Sequence, residues 1–260
     1  MCLILLAWRV HPRFPCVLAA NRDEFHDRAT AAAEWWPGDA RILAGRDLHA
    51  GGTWLGVTHR GHFAALTNFR DGGLRRAEAP SRGTLVSELL EAGGSVPEML
   101  RHLQDIGPLY NPFNVLYSDG ERLGIYESAL GRGRELGPGV FGLSNHLLDT
   151  AWPKVQNAKT ALTAALADPR DAASILHLLR DDRRASDAEL PRTGATLEWE
   201  RLLSSAFVRA EDYGTRCSTL FRVDEHGAAV FCEWSWDRSG EESGARRFEF
   251  VVEGFDASSA

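Results

Sequence analysis

The stretch Met1-Cys2-Leu3-Ile4-Leu5-Leu6-Ala7-Trp8 decides how the rest of the chain is read. Leu3 to Trp8 is a short apolar run, the pattern of a buried strand, and it predicts a strand with Cys2 at its tip. A cysteine after the initiator methionine is small enough for an aminopeptidase to remove Met1. Cys2 would then carry a thiol and a free α-amine on one residue. The thiolate form of a cysteine is the nucleophile. An α-amine, with a reference pKa of about 7.7–8.0, is partly unprotonated near neutrality and can serve as base. Cys2 would thus supply nucleophile and base together. The same residues also suit an ordinary core strand that happens to begin with cysteine.

Working outward, Cys16-Val17-Leu18-Ala19-Ala20 predicts a second strand, antiparallel to the first and joined to it through the turn-prone His11-Pro12-Arg13. It ends in Asn21-Arg22-Asp23-Glu24-Phe25. If the two strands pair, Arg22 and Asp23 return beside Cys2. An arginine there favours the thiolate, and an aspartate orients the amine. A solvated turn with local hydrogen bonds is the competing reading of the same polar residues.

Composition narrows the class. A chain of 260 residues that is 44% hydrophobic can bury a substantial core. A net charge of −7 argues against a nucleic-acid or anionic-membrane binder. Lys154 and Lys159 are the only lysines, which reads as the codon bias of a GC-rich genome. The four cysteines form no CxxC pair and are too few for a disulfide scaffold. No apolar run approaches the roughly 20 residues of a membrane span, and the N-terminus makes a poor signal peptide. A cytoplasmic location is the expectation.

Gly45 to Gly56 contains paired glycines without the spacing or lysine of a phosphate loop. Trp54 to Thr58 and Phe63 to Phe69 predict a β-hairpin, whose second strand ends near Asn68. A side-chain amide at a strand end is a standard oxyanion donor, although Asn68 also suits the start of the loop Arg70-Asp71-Gly72-Gly73. His59 and His62 are read as solvated turn residues, since no HExxH or comparable metal cluster is present.

These pieces together resemble a known family. The Met-Cys start, Asn21-Arg22-Asp23-Glu24-Phe25, Gly51-Gly52-Thr53-Trp54-Leu55-Gly56, Leu66-Thr67-Asn68, Gly142-Leu143-Ser144-Asn145 and Tyr213-Gly214-Thr215-Arg216 are similar to the blocks of the NRDE family, the transport and Golgi organisation 2 proteins. That family is considered similar to the N-terminal-nucleophile hydrolases, above all the bile-salt hydrolase and penicillin V acylase branch. The resemblance implies that Arg22 and Asp23 correspond to that branch's arginine and aspartate. It also implies that Asn145 polarises the reacting carbonyl alongside Asn68. Asn21 and Trp54, inside the blocks, are candidate substrate contacts. Arg216, at the start of a strand, would bind a substrate carboxylate or support Asn145.

Helices are predicted in the middle of the chain. One covers Leu85 to Ala92 and stops at Gly93-Gly94. A second runs from Ser95 to about Ile106, with a serine cap, a proline in the first turn and Glu98 three residues on. A hairpin follows from Phe113 to Tyr117 and Leu123 to Glu127, then a strand over Val140 to Ser144 that delivers Asn145 and His146. Asp149 or Thr150 would cap a long helix through Leu166, Ala172 to Arg180 a further one, and Glu198 to Phe207 a short one. Arg216 to Val223, Ala228 to Trp236 and Arg247 to Val252 read as a meander in which Cys217 and Cys232 face each other, with a frayed tail at 257–260.

The pattern predicts an α+β fold with antiparallel sheets over a single domain, 1–260. The resemblance adds the four-layer αββα sandwich of the N-terminal-nucleophile hydrolases. The functional expectation is an amide hydrolase acting on a small non-peptide acyl amide, with Cys2 as nucleophile, Arg22 and Asp23 beside it, Asn68 and Asn145 at the oxyanion, and no cofactor or metal. The alternative implied by the family is a haem- or lipid-handling trafficking protein that kept the fold without the reaction; a haem carrier wants an axial ligand beside an apolar pocket. An interaction protein is the third reading.

Overall fold

Both faces of the first strand are buried, and its alternation sorts the molecule into layers. A computed structural model describes residues 2–38, 41–70, 72–73 and 76–255. In β1 (Cys2–Trp8), Ile4, Leu6 and Trp8 enter one apolar cluster and Leu3, Leu5 and Ala7 another. Successive side chains on a strand point to opposite faces, so a continuous apolar run marks a strand covered on both sides.

β1 pairs on one side with β2 (Cys16–Phe25) and on the other with β10 (Gly139–Leu143). β11 (Tyr213–Val223), β12 (Ala228–Trp236) and β13 (Glu242–Val251) complete an antiparallel sheet of order β10-β1-β2-β11-β12-β13. The second sheet is a sequential meander: β3 (Thr30–Trp35), β4 (Ile42–Asp47), β5 (Leu55–Thr58), β6 (Phe63–Asn68), β7 (Phe113–Ser118), β8 (Leu123–Glu127) and β9 (Arg132–Leu136). The sheets face each other across a core that includes Leu6, Leu18, Leu43, Phe63, Phe221 and Phe231.

Helices close the outside. α1 (Gly83–Ala92) and α2 (Val96–Ile106) cover the meander. α3 (Pro153–Ala165) and α4 (Ala172–Leu179) cover the sheet that holds β1, and a short α5 (Leu197–Leu202) lies near the cleft described below. The order helix, sheet, sheet, helix is the expected four-layer sandwich. α2 carries the capping box read from its sequence, with Ser95 and Glu98 reciprocally bonded. α1 ends at Gly93, whose φ of 58° is the left-handed conformation that suits glycine.

Several boundaries differ from the sequence reading. The Asn21–Phe25 block is not a turn but the last half of β2, because its polar side chains find partners on both faces of the sheet. β3, β4 and β9 have no counterpart in the reading; their apolar alternation is short and broken by charge. α3 starts at Pro153 with Trp152 at the cap position, not at Asp149 or Thr150. Asp149 instead accepts hydrogen bonds from the Gly142 N–H (2.8 Å) and Lys159 Nζ (2.6 Å). Cys217 and Cys232 are not opposite each other: Cys217 pairs with Ser235 and Cys232 with Leu220, so the two thiols lie on different faces. Met1 and the tail at 257–260 lie outside the described residues.

Candidate active site

Strand register assembles the site. Cys2 stands opposite Arg22 on β2, and Arg22 stands opposite Cys217 on β11. Directly paired residues share a face, so Cys2, Arg22 and Cys217 all look between the two sheets, at one end of the sandwich. Asp23, one residue on, points to the other face, opposite Thr215. Immediately after Thr215 the ladder slips, and Arg216 is the extra residue of a β-bulge.

Arg22 is 5% exposed and held from three directions. Its Nη1 donates to Thr30 Oγ1 (3.2 Å), its Nη2 lies 3.8 Å from Asp47 Oδ2, and its guanidinium sits 4.5 Å from the centroid of the Trp54 ring. Asp47 also accepts from Arg28 Nε (2.7 Å) and from the N–H groups of His49 (3.0 Å) and Ala50 (3.2 Å). Burial opposes ionisation of Asp47, but these donors win and hold its carboxyl below its ordinary pKa. The paired glycines serve this arrangement: Gly51 turns with φ of 78°, and a Cβ on Gly52 would lie 2.4 Å from the Gly83 backbone at the start of α1. Gly45 leaves room for Trp54, since a Cβ there would meet the ring at 2.5 Å.

Asp23 is 1% exposed. Its Oδ1 accepts from Thr215 Oγ1 (2.7 Å), and its backbone carbonyl accepts from the Tyr213 hydroxyl (3.0 Å). Burial pushes its carboxyl pKa up, against the pull of the N-terminal ammonium first and then of Lys154, Thr215 and Arg22. Cys2 is half-buried. Desolvation raises its thiol pKa and the Asp23 charge adds to this, while Arg22 and the Asp23 N–H favour the thiolate. Thiol, cation and carboxylate therefore lie together, as the sequence pattern implied.

The two asparagines differ in place. Asn68 ends β6 and lines the cleft. Asn145 is fully buried: its Nδ2 donates to the Asn68 carbonyl (2.9 Å), its Oδ1 accepts from Ser144 Oγ (3.3 Å), and Ser144 Oγ also lies 3.0 Å from the Cys2 carbonyl. Asn145 is thus a strut between Asn68 and the Cys2 strand and does not line the cleft.

Two expected substrate contacts are elsewhere. Asn21 is 1% exposed on the helix-covered face, where its Nδ2 donates to the carbonyls of Leu179 (2.7 Å) and Ala206 (2.8 Å) and its Oδ1 accepts from Ser218 (2.6 Å). It pins α4 and the segment before β11 to the sheet. Arg216 Nη1 donates to the carbonyls of Phe25 (2.9 Å) and Arg28 (3.1 Å), bracing the turn after β2. Trp54 lines the cleft as expected.

The cleft in front of Cys2 has a volume of about 1020 Å³, large enough for a small molecule. Phe25, Trp199 and Tyr213 make an aromatic wall: Phe25 and Tyr213 meet edge-on at 5.0 Å, and Trp199 and Tyr213 at 5.3 Å. Arg70 lines it too, with Nη2 3.2 Å from Glu200 Oε2 and its guanidinium 5.0 Å from the Trp152 ring centroid. Glu200 is fixed through Oε1 by the N–H (2.9 Å) and hydroxyl (2.6 Å) of Thr193. Behind the sheet lies Lys154, in the first turn of α3 and 5% exposed. None of the aromatic wall, the Arg70–Glu200 pair or Lys154 was singled out from sequence. Lys154 is one of two lysines in a chain that otherwise uses arginine, which marks it by composition but says nothing of its burial.

The family described as Transport and Golgi organisation 2 matches residues 1–238. The chain is 36% identical to the Transport and Golgi organization protein 2 homolog of Bos taurus, over 90% of this chain and 93% of that protein. It is 33% identical to the Homo sapiens homolog, over 97% of this chain and 100% of that one. Among solved structures, a conjugated bile acid hydrolase from Clostridium perfringens aligns with a TM-score of 0.53 at 10% identity, covering 99% of this chain and 94% of that one. That likeness is one of fold, the N-terminal-nucleophile hydrolase sandwich.

Proposed function

The chain belongs to the Transport and Golgi organisation 2 family, and we propose that this member is an N-terminal-cysteine amidohydrolase acting on a small non-peptide acyl amide. The observation that carries the reading is the pairing of Cys2 with Arg22 at the floor of the cleft, with Asp23 beside them. Removal of Met1 frees the α-amine of Cys2. The thiolate attacks the substrate carbonyl, and the tetrahedral oxyanion is met by Asn68. Collapse breaks the C–N bond, and the α-ammonium gives its proton to the departing amine, leaving a thioester on Cys2. Water, deprotonated by the same amine, hydrolyses the thioester and restores the thiol.

Asp23, fixed by Thr215 and the Tyr213 hydroxyl, orients the amine, and Arg22 stabilises the thiolate. Asn145 acts through Asn68, as its hydrogen bond to the Asn68 carbonyl supports. The aromatic wall and Trp54 suit an apolar acyl group.

The test is intact mass and peptide mapping after brief iodoacetamide treatment near neutral pH. Met1 should be absent, and Cys2 should alkylate much faster than Cys16, Cys217 and Cys232, all at most 5% exposed. Burial alone pushes the Cys16 pKa up to about 12. Quantitative retention of Met1 on natively produced protein overturns the reading, because the base then does not exist.

A further inference from the structure

Lys154 is a buried cation with no use in the scheme above. Its Nζ is shielded from solvent and, among the described residues, has no hydrogen-bond partner. An ammonium taken out of water without a partner is costly, and such a group persists only where nearby charge compensates it. Its surroundings come from five elements. Asp23 on β2, Cys2 on β1 and Glu200 on α5 attract it, while Arg70, after β6, repels it. On its far side Lys154 lines a separate cavity of about 220 Å³ with Asp181, Arg183, Arg184 and Glu189.

Each acid near Lys154 has partners of its own, Asp23 among them through Thr215 Oγ1 at 2.7 Å. Glu200 is engaged by Arg70 at 3.2 Å and by both donors of Thr193. Asp181 is engaged by Arg183 at 2.7 Å. Asp23 is the strongest attraction Lys154 feels, and Lys154 in turn is the foremost side-chain charge favouring the Asp23 carboxylate. Topology explains the match: Asp23 projects from the helix-covered face of the sheet, and α3, which packs on β1 and β10, brings its first turn to that face.

We infer that Lys154 is a positioning residue, a buried counter-charge that acts beside the N-terminal ammonium to keep Asp23 ionised and through it sets the reactivity of Cys2. The link to Cys2 rests on the amidohydrolase reading; the link to Asp23 does not. Desolvation lowers the Lys154 pKa to about 8, against the pull of Asp23, so the counter-charge is present through neutral pH and fades above it. Lys154 touches no substrate in this scheme, because it lines the rear cavity and not the cleft.

Two measurements decide it, with folding of each variant checked by circular dichroism. The first is the pH profile of Cys2 alkylation by iodoacetamide in the wild type, Lys154→Met and Lys154→Arg. Lys154→Met should displace the profile by about one pH unit from that of the wild type, and Lys154→Arg should restore most of the wild-type position. A Lys154→Met profile that coincides with wild type overturns the link to Cys2. The second is a double-mutant cycle on thermal stability with Lys154→Met, Asp23→Asn and the pair. The double variant should be clearly more stable than the two single losses added together, and strict additivity overturns the link to Asp23. If wild-type Cys2 alkylates no faster than the other thiols, the amidohydrolase reading and the link to Cys2 fail together, and the cycle still decides the Lys154–Asp23 couple.

Discussion

The Trp54 ring lies 4.5 Å from the Arg22 guanidinium, and the space that ring occupies exists because residue 45 has no Cβ. Two stretches distant in sequence thus converge on one cation. Gly45→Ala places a methyl 2.5 Å from the ring and must displace it. Overpacking of this kind costs about 1–3 kcal/mol. The expected outcome is a lower melting temperature together with slower Cys2 alkylation, because Arg22 loses its support. Thermal denaturation and peptide-mapped alkylation check both.

Asn68 and Asn145 are expected to separate in their effects. Asn68→Ala removes the proposed oxyanion donor and should lower kcat by about 10²–10³ with little change in stability. Asn145→Ala leaves the half-buried Asn68 carbonyl without its 2.9 Å donor and should cost about 1–3 kcal/mol of folding free energy. Denaturant titration beside steady-state kinetics on an amide substrate distinguishes the two. Equal stability losses would remove the distinction between donor and strut.

The Arg70–Glu200 pair predicts a rescue. Side-chain exposures of 12% and 5% make this a buried ion pair, and removing one partner strands the other charge. Arg70→Met should therefore destabilise by about 3–5 kcal/mol, and Arg70→Met with Glu200→Gln should recover much of that loss. The measurement is urea unfolding of the single and double variants.

Glu233 gives a pH-dependent stability. It is 2% exposed, and its Oε1 accepts from the Ala33 N–H (2.7 Å) where the β3–β4 ladder slips. Burial raises its pKa from 4.5 to about 7. The folded state therefore binds the proton more tightly than the unfolded chain does. The associated stability is complete below the unfolded value and is lost as pH rises through the folded one. Wild type should lose on the order of 3 kcal/mol relative to Glu233→Gln between about pH 4.5 and 7. Chemical denaturation at pH 5 and pH 8 checks the sign; a Gln variant with the same pH profile would remove the assignment.

What was legible in the sequence follows from how local each signal is. β1 showed as an apolar run, α2 as a capping box, and the Asn21–Phe25 block as polar residues arriving beside Cys2. The antiparallel return of a strand pair is a local rule, so Arg22 opposite Cys2 could be read from spacing. Asn145 was assigned by resemblance and Arg216 from its place at a strand start, and their hydrogen bonds turned them into braces, because a residue type carries no information on which way it faces across a bulge or a strand end. Lys154 and the Arg70–Glu200 pair were invisible for a related reason: a buried charge declares itself only through partners far away in the chain. β3, β4 and β9 escaped because bulge and charge interrupt the alternation that marks a strand.

The two sheets are unequal in how they can be built. Every pairing in the meander joins consecutive strands, so that layer can form as the chain emerges from the ribosome. The other sheet takes β1 and β2 from the first residues and β10 to β13 from much later, and Asp23 meets Thr215 only when β11 docks on β2. Contacts of such long sequence separation close slowly. The Cys2 end of the protein is synthesised first and assembled last, so an interrupted translation product carries the cysteine without the strand that confines Asp23.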